Sequence, residues 1–458
     1  MIHIAGTNGK GSTTSYCASI LAANGARVGV YTSPYIERFT ERIRVIDGRD
    51  GLASLASDEA AGEIGPGQFA TIMSEIRRAV DHMLAEGDEH PTEFELITAA
   101  AFIHFQREHC DWVVLETGLG GRLDSTNVIA RPARVIITAL GYDHMDRLGH
   151  TLQEIATEKA GIIKQGCPVW LYDPIAATPD HRDEAEAARR LIIDHCRELQ
   201  APLTILEPAQ VEGLDYQLSG QTFRFAGEVY HTRLLGLFQP LNAALALSAC
   251  SGLVDPQAMI DGIRETRWPA RLEVFPGSLK RPWSLERPGP VQDVLSVQEN
   301  VPVDEPWEPL ILIDGAHNPQ GCLALGDALD RLLPGQPIVF LVGLLSDKDY
   351  PAMLGALWAG RQFKTLDIIC VTPENPRALP AKSLAKSVAE LKIDLHSGYN
   401  DRDMIHTIDQ PELGLAQAVA IASTQRAAVC AFGSLYLVGQ LRTWIRNRPR
   451  RLREDPQF

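Results

Sequence analysis

Near the start of the chain, Gly6-Thr7-Asn8-Gly9-Lys10-Gly11-Ser12 has the residue types and spacing to grip a phosphate. Glycines let backbone N–H groups approach phosphate oxygens, and the N-terminus of a following helix adds a favourable partial charge. Lys10 would neutralise β- and γ-phosphates, and the Ser12 hydroxyl is placed to reach a Mg²⁺ ion. The spacing departs from G-x-x-x-x-G-K-[ST], because Gly11 stands between Lys10 and Ser12. A Gly-rich turn that only joins a strand to a helix is the plainer reading, but lysine and serine both sit where phosphate chemistry wants them. A second group collects farther on. Glu116 closes the run Trp112-Val113-Val114-Leu115 and precedes Thr117-Gly118-Leu119-Gly120-Gly121-Arg122-Leu123-Asp124, while Gly141-Tyr142-Asp143-His144 follows the next apolar run. A carboxylate, an imidazole and a hydroxyl can together hold a metal that bridges nucleotide phosphates. Taken singly, His144 reads more readily as a hydrogen-bonded loop residue, and Glu116 equally as an ion-pair partner of Arg122.

Such residues need elements to position them. Ile2-His3-Ile4-Ala5 reads as a strand before the loop. Tyr16, Cys17, Ile20 and Leu21 recur at helical spacing after it, Asn24-Gly25 supplies a stop, and Val28-Gly29-Val30-Tyr31 is the next strand. That order is the context a phosphate loop requires. Further apolar runs at Val135–Leu140, Leu310–Ile313, Ile338–Val342, Leu366–Val371 and Ala428–Phe432 alternate with helical patterns, which predicts parallel α/β sheets. Ligands then bind at the carboxyl ends of the strands, so Glu116 and His144 should face the loop. From about Phe275 to Pro309 the pattern breaks into a proline-rich stretch, read as an interdomain connection carrying an insertion with a hairpin of its own. Arg446 to Arg453 reads as a solvated tail.

At 458 residues the chain exceeds the ~250–300 at which single cores stop growing, so two domains are expected. A formal charge of −15 argues against a nucleic-acid partner, and no long uncharged apolar stretch suggests a membrane span. Eight cysteines are scattered singly with no C-x-x-C pair, which points to reduced thiols in a cytoplasmic protein. A monomer is expected.

Read together, GTNGKGS, YTSPYIERFTERIRV, ETGLGGRLDSTNVI, DHMDRLGHTLQEIATEKAGIIK, DGAHNP, SDKD and FGSLY resemble the folylpolyglutamate and dihydrofolate synthases of the Mur ligase superfamily. The resemblance runs from residue 1 to about residue 440. It implies an N-terminal P-loop-type ATPase domain over 1–274 with a mostly parallel sheet, a linker with insertion over 275–309, and a smaller C-terminal Rossmann-like α/β domain over 310–458. The implied activity is an ATP-dependent amide ligase joining L-glutamate to dihydropteroate or a reduced folate. ATP would be held by Asn8, Gly9, Lys10, Gly11 and Ser12, with Asn242 at adenine and Arg271 and Asp314 as further nucleotide contacts. Ser33, Glu116 and His144 resemble Mg²⁺ ligands. Lys159 resembles a lysine carbamylated in this superfamily, which turns a cation beside Mg²⁺ into an anionic ligand. By periodicity alone, a helix salt bridge is the simpler role for Lys159.

Thr32, Thr92, Leu123, Asp124 and Ser125 resemble pterin-pocket positions, although a helix cap or turn suits Thr92 and Ser125 as sequence. His317 and Ser434 resemble positions near the incoming glutamate, with His317 a candidate for orienting its amine; a loop histidine bonding locally is equally compatible. The implied mechanism activates the carboxylate as an acyl phosphate, with Mg²⁺, Lys10 and Arg271 stabilising the transferring phosphoryl group, and with domain closure before chemistry. Two departures stand out. Relatives carry a few dozen residues before the first strand, so either the start lies upstream of Met1 or dihydropteroate binds poorly. In Leu237-Phe238-Gln239-Pro240-Leu241-Asn242, many relatives have His-Gln before the asparagine, so Phe238 receives no role. A Mur-type ligase acting on another carboxylate and a non-catalytic nucleotide-binding relative are the alternatives. Lys10, Glu116, His144 and Lys159 together speak against the second.

Overall fold

β1 (Ile2–Ala5) is buried along its whole length, because it runs in the middle of a seven-stranded sheet. The other strands are β2 (Arg27–Tyr31), β3 (Ile43–Asp47), β4 (Trp112–Glu116), β5 (Arg134–Ile137), β6 (Val169–Tyr172) and β7 (Leu203–Leu206), in the order β3-β2-β4-β1-β5-β6-β7. Neighbours are parallel except β2 and β3. Apolar β-branched residues dominate these strands because helices cover both faces. β4 inserts between β1 and β2, and the chain then crosses β1 to lay down β5. The carboxyl ends of β4, β1 and β5 therefore lie side by side, at the kind of switch point where open α/β sheets bind ligands.

This computed structural model describes residues 1–275, 308–391 and 404–451, with side chains to residue 447. They form two compact units, Met1–Pro269 and the chain from Ala270 onward. The first also carries a small antiparallel sheet of β8 (Val211–Gln217), β9 (Gly220–Phe225) and β10 (Glu228–Thr232). The helix Lys10–Ala23 packs on the helices Gln239–Cys250 and Pro256–Glu265 and is buried on nearly every side. The second unit is a six-stranded sheet of β11 (Glu273–Phe275), β12 (Ile311–Asp314), β13 (Pro337–Val342), β14 (Lys364–Cys370), β15 (Ile405–Thr407) and β16 (Ala428–Phe432), in the order β11-β12-β16-β13-β14-β15. Only β11 runs antiparallel to its neighbour.

Three boundaries differ from the sequence reading. Glu273, Val274 and Phe275 pair with Ile313, Leu312 and Ile311, so they go with the second unit rather than ending the first at residue 274. The run Val135–Leu140 stops being strand at Ile137, because Ala139 turns to accept hydrogen bonds from the phosphate loop. The expected charged tail is helical as far as Arg451, since Leu437, Val438 and Leu441 recur at helical spacing and are buried. The proline-rich stretch lies outside the described residues from 276 to 307, and so does its expected hairpin. All eight cysteines are free thiols. Among the described residues no helix is long and apolar enough to cross a membrane.

Candidate functional site

The loop after β1 turns through Gly9, whose φ of +89° is in the left-handed region that favours glycine, and which caps the helix Lys10–Ala23. A Cβ on Gly9 would lie 2.5 Å from Asn242 Oδ1, so the loop sits directly against the helix Gln239–Cys250. Thr7 N and Asn8 N donate to Ala139 O at 2.9 and 3.1 Å. The Asn8 backbone N–H is therefore spent on Ala139, and the N–H groups left for an anion run from Gly9 through the first helical turn at Lys10, Gly11 and Ser12. Ser12 is buried, and its hydroxyl accepts from Gln239 Nε2 at 3.2 Å. Gln239 had no role in the sequence reading. Its signal was only its place three residues before Asn242 on the same helix, and it accepts from Asn242 Nδ2 at 3.4 Å.

Gly11, the residue that breaks the usual spacing, has a steric reason. A Cβ there would stand 2.5 Å from Trp268 Cζ2, and Ser15 Oγ pins the same segment by donating to Arg267 O at 2.9 Å. Gly11→Ala should therefore destabilise the fold by about 1–3 kcal/mol through overpacking. Adding Trp268→Leu should recover part of that loss, read as a positive coupling in a thermal-melt double-mutant cycle. Additive losses would reject the contact as the cause.

Two lysines converge on one carbonyl. Lys10 Nζ donates to Gly6 O at 3.1 Å and Thr7 O at 3.3 Å, and Lys159 Nζ donates to Gly6 O at 2.8 Å. Among the described residues neither forms an ion pair, so the helix salt bridge open to Lys159 is not made. Lys159 is buried, and burial, with the nearby Lys10 charge adding to it, pushes its amine down to about 7. Two ammonium groups sharing an oxygen repel each other, so the site favours an added anion or a neutral amine.

Glu116 ends β4 opposite Ile4 and is buried, and Ser33 N donates to its Oε2 at 3.4 Å. Ser33 and Glu116 are thus brought together. His144 adopts φ +52° at the start of the short helix Met145–Leu148, and its exposed side chain places Nε2 3.9 Å from Asp143 Oδ1. Among the described residues no three His, Cys, Asp or Glu side chains are gathered to hold a metal. The set implied by resemblance contains only two such residues, and a hydroxyl and a lysyl carbamate would complete it with oxygen ligands suited to a hard cation. Beside Glu116 in the chain, the buried Thr117 Oγ1 has no partner among the described residues, so a polar group there is left for a ligand.

The loop after Glu116 is held from beneath. Asp124 Oδ2 accepts from Leu119 N at 2.9 Å, and its Oδ1 accepts from Thr126 N at 3.0 Å and Thr126 Oγ1 at 2.6 Å. Because the Thr126 proton goes to Asp124, His3 Nε2 must carry the hydrogen in its 2.8 Å bond to Thr126 Oγ1. Ser125 Oγ lies 2.9 Å from Thr98 Oγ1, and Tyr31 OH lies 3.0 Å from it. Thr98 gives its own proton to Phe94 O, so both neighbours donate to it. This fixed loop leaves Leu123 79% exposed and Val128 74% exposed. Thr32 is buried beside Ser33. Thr92 is engaged in a capping box with Glu95, accepting from Glu95 N at 3.3 Å while its own N donates to Glu95 Oε2 at 2.7 Å. His3, Tyr31, Thr98 and Thr126 carry no site role as sequence.

Burial pushes the His3 imidazole down to about 3 from its usual 6.5. Between those values the unfolded chain binds a proton that the folded chain refuses, so stability is full above about pH 6.5 and is lost as pH falls toward 3. His3→Gln, which keeps a donor and cannot titrate, should lose less stability than the native protein between pH 6.5 and 4. Urea unfolding at several pH values checks this, and parallel losses would remove His3 as a cause.

In the second unit Asp314 ends β12, and its buried carboxylate accepts from Leu272 N at 2.7 Å and Ala316 N at 2.8 Å. Burial raises its carboxyl, against the opposing pull of Arg271 and these amides. Arg271 Nη1 donates to Ala270 O at 3.1 Å. His317 Nδ1 bonds Gly315 O at 2.7 Å, a local contact of the kind a loop histidine makes. Ser434 is buried, and its Oγ accepts from Leu437 N at 3.1 Å at the start of the last helix.

Residues 53–250 match the Mur ligase middle domain, and residues 302–435 match the Mur ligase glutamate ligase domain. The chain is 32% identical over 457 residues to dihydrofolate synthase/folylpolyglutamate synthase of Bacillus subtilis, spanning 96% of this chain and 89% of that protein. Its fold matches folylpolyglutamate synthase of Mycobacterium tuberculosis, solved with ADP and AMPPCP, at a TM-score of 0.75 and 26% identity, over 97% of this chain and 90% of that one. The Escherichia coli FolC structure in complex with DHPP and ADP matches at a TM-score of 0.72 and 27% identity, over 98% and 89%.

Proposed function

Because the chain belongs to the folylpolyglutamate synthase/dihydrofolate synthase family of Mur-type ligases, we propose that it joins L-glutamate to dihydropteroate, to reduced folyl-glutamates, or to both, using ATP. The observation that carries this reading is the pair Lys10 and Lys159 on the single oxygen of Gly6, at a helix N-terminus and without carboxylate partners among the described residues. Two charged amines on one oxygen oppose each other, and polyphosphate held at Lys10 together with loss of the Lys159 charge relieves that opposition.

The chemistry follows from what a carboxylate lacks. Its carbon is shielded by delocalised charge, so an amine cannot displace oxide from it. Transfer of the terminal phosphoryl group of ATP to a carboxylate oxygen gives an acyl phosphate. The neutral amine of glutamate then attacks the acyl carbon, a C–N bond forms, the C–O bond to phosphate breaks, and the amine loses a proton. Lys10 and the first-turn amides hold the charge that spreads over the transferring group. A bound divalent cation would neutralise the same phosphate oxygens. Its ligands would come from Ser33, Glu116, His144 and a carbamylated Lys159. The low affinity of the Lys159 amine for a proton suits it to take up CO₂. The rigid loop carrying Leu123, Asp124 and Ser125 would seat the pteroate. Asn242, Arg271 and Asp314 keep the nucleotide roles, and His317 and Ser434 the glutamate roles, that the resemblance gives them.

One assay tests the whole reading. ATP- and glutamate-dependent product formation is measured separately on dihydropteroate and on a reduced folate. Amide product on at least one is expected, with ADP and phosphate released alongside. No product on either, from folded protein that binds ATP, would reject it.

A further inference from the structure

Arg271 stands between two residues with left-handed backbones, Ala270 at φ +58° and Leu272 at φ +45°. Side chains make that conformation unfavourable, and such residues persist only where their surroundings enforce them. Here the enforcing bonds are explicit. Asp314 Oδ2 accepts from Leu272 N at 2.7 Å, Gly315 N donates to Ala270 O at 3.0 Å, and Glu273 Oε2 accepts from Ala270 N at 3.0 Å. Glu273 is itself gripped by Arg442 on the last helix, which donates Nε to Oε2 at 2.8 Å and Nη2 to Oε1 at 2.9 Å. The Arg442 side chain is 2% exposed. Gly315, just after β12, leaves room for the guanidinium that the turn carries. A Cβ on Gly315 would lie 2.6 Å from Arg271 Nη1.

A buried ion pair that only joined a helix to an edge strand would be replaceable by apolar side chains at little loss. This pair does more, because the same carboxylate oxygen that meets Arg442 Nε also receives the Ala270 amide. Without it, a buried N–H inside a strained turn would lack its acceptor. We propose that Glu273 and Arg442 are positioning residues that lock the Ala270–Leu272 turn and thereby aim Arg271 at the nucleotide. The inference rests on the nucleotide role proposed for Arg271.

The test uses the full chain with Arg271→Ala, Arg442→Met, Arg442→Lys, Glu273→Gln and the double variant Arg271→Ala/Arg442→Met. The readouts are kcat, KM for ATP, KM for the pteroate or folate substrate, and thermal melts. Arg442→Met should lower kcat/KM for ATP about 10- to 100-fold, as a misaimed group does, with KM for the pteroate or folate unchanged. The double variant should be no worse than Arg271→Ala alone, since a lost aim does not matter once the guanidinium is gone. Arg442→Lys should recover only part, because an ammonium cannot make two parallel bonds to a carboxylate. Glu273→Gln keeps size and one acceptor, and reads the same effect if Arg442→Met does not fold. Multiplied losses in the double variant, or full ATP efficiency in folded Arg442→Met beside a crippled Arg271→Ala, would overturn the positioning role alone. A fully active Arg271→Ala would overturn the nucleotide role of Arg271 and this inference with it.

Discussion

Lys10→Ala should cut ATP-dependent turnover about 100- to 1,000-fold while leaving the protein as stable as before, or more so. The loss follows from charge. Removing one preorganised donor from a developing negative charge typically costs that much, and Lys10 is a full cation at the head of a helix aimed at the same place. The retained stability follows from the Lys10 and Lys159 hydrogen bonds to Gly6 O. Deleting one ammonium removes the repulsion that adds to burial in holding Lys159 low, and alanine is a good helix residue at that position. Turnover with and without saturating ATP, set beside thermal melts, separates the two effects. Near-normal turnover in folded Lys10→Ala would remove the central claim.

The parts of this site that were legible in the sequence are local. A strand, a Gly-rich turn and a helix occupy consecutive residues, so Lys10 and Ser12 could be read from spacing, and Glu116 from its place at the end of an apolar run. Thr92 was legible as a cap for the same reason. The supporting contacts were not, because they join residues far apart. Gln239 reaches Ser12 across 227 positions, and His3 reaches Thr126 across 123. Nothing in the string Ile2-His3-Ile4 says which hydroxyl its imidazole will meet. Trp268 explains Gly11 only once the two are seen in contact. Where the reading erred on an element, one signal had outweighed another. Thr138–Leu140 looked like strand because it is apolar, yet its backbone serves the loop. The segment from Arg446 looked like a tail because arginine dominates it, yet to Arg451 it continues the last helix, which Leu437, Val438 and Leu441 anchor by burying its inner face.

Lys159 carries the other large effect, and it separates activity from stability more sharply. A buried amine opposed by burial and by Lys10, whose acceptor Gly6 O is also served by Lys10, adds little to the fold that an apolar side chain would not. Lys159→Met should therefore keep or raise stability. Its activity should nevertheless fall on the order of 100- to 10,000-fold, the rate equivalent of losing an anionic metal ligand worth several kcal/mol. Added short-chain carboxylates should restore part of it by supplying the missing oxygens. The native enzyme should show the matching pH dependence. CO₂ adds only to the neutral amine, and burial holds that amine at about 7, so the competent fraction rises as pH climbs through 7 and falls below it. Enzyme stripped of CO₂ below pH 7 should regain activity on adding bicarbonate, and Lys159→Met should not respond. The decisive observation is electron density continuing past Lys159 Nζ toward the cation in an ATP- and Mg²⁺-loaded structure. A bare amine still bonded to Gly6 O under those conditions would reject the carbamate and return Lys159 to a purely electrostatic role beside Lys10.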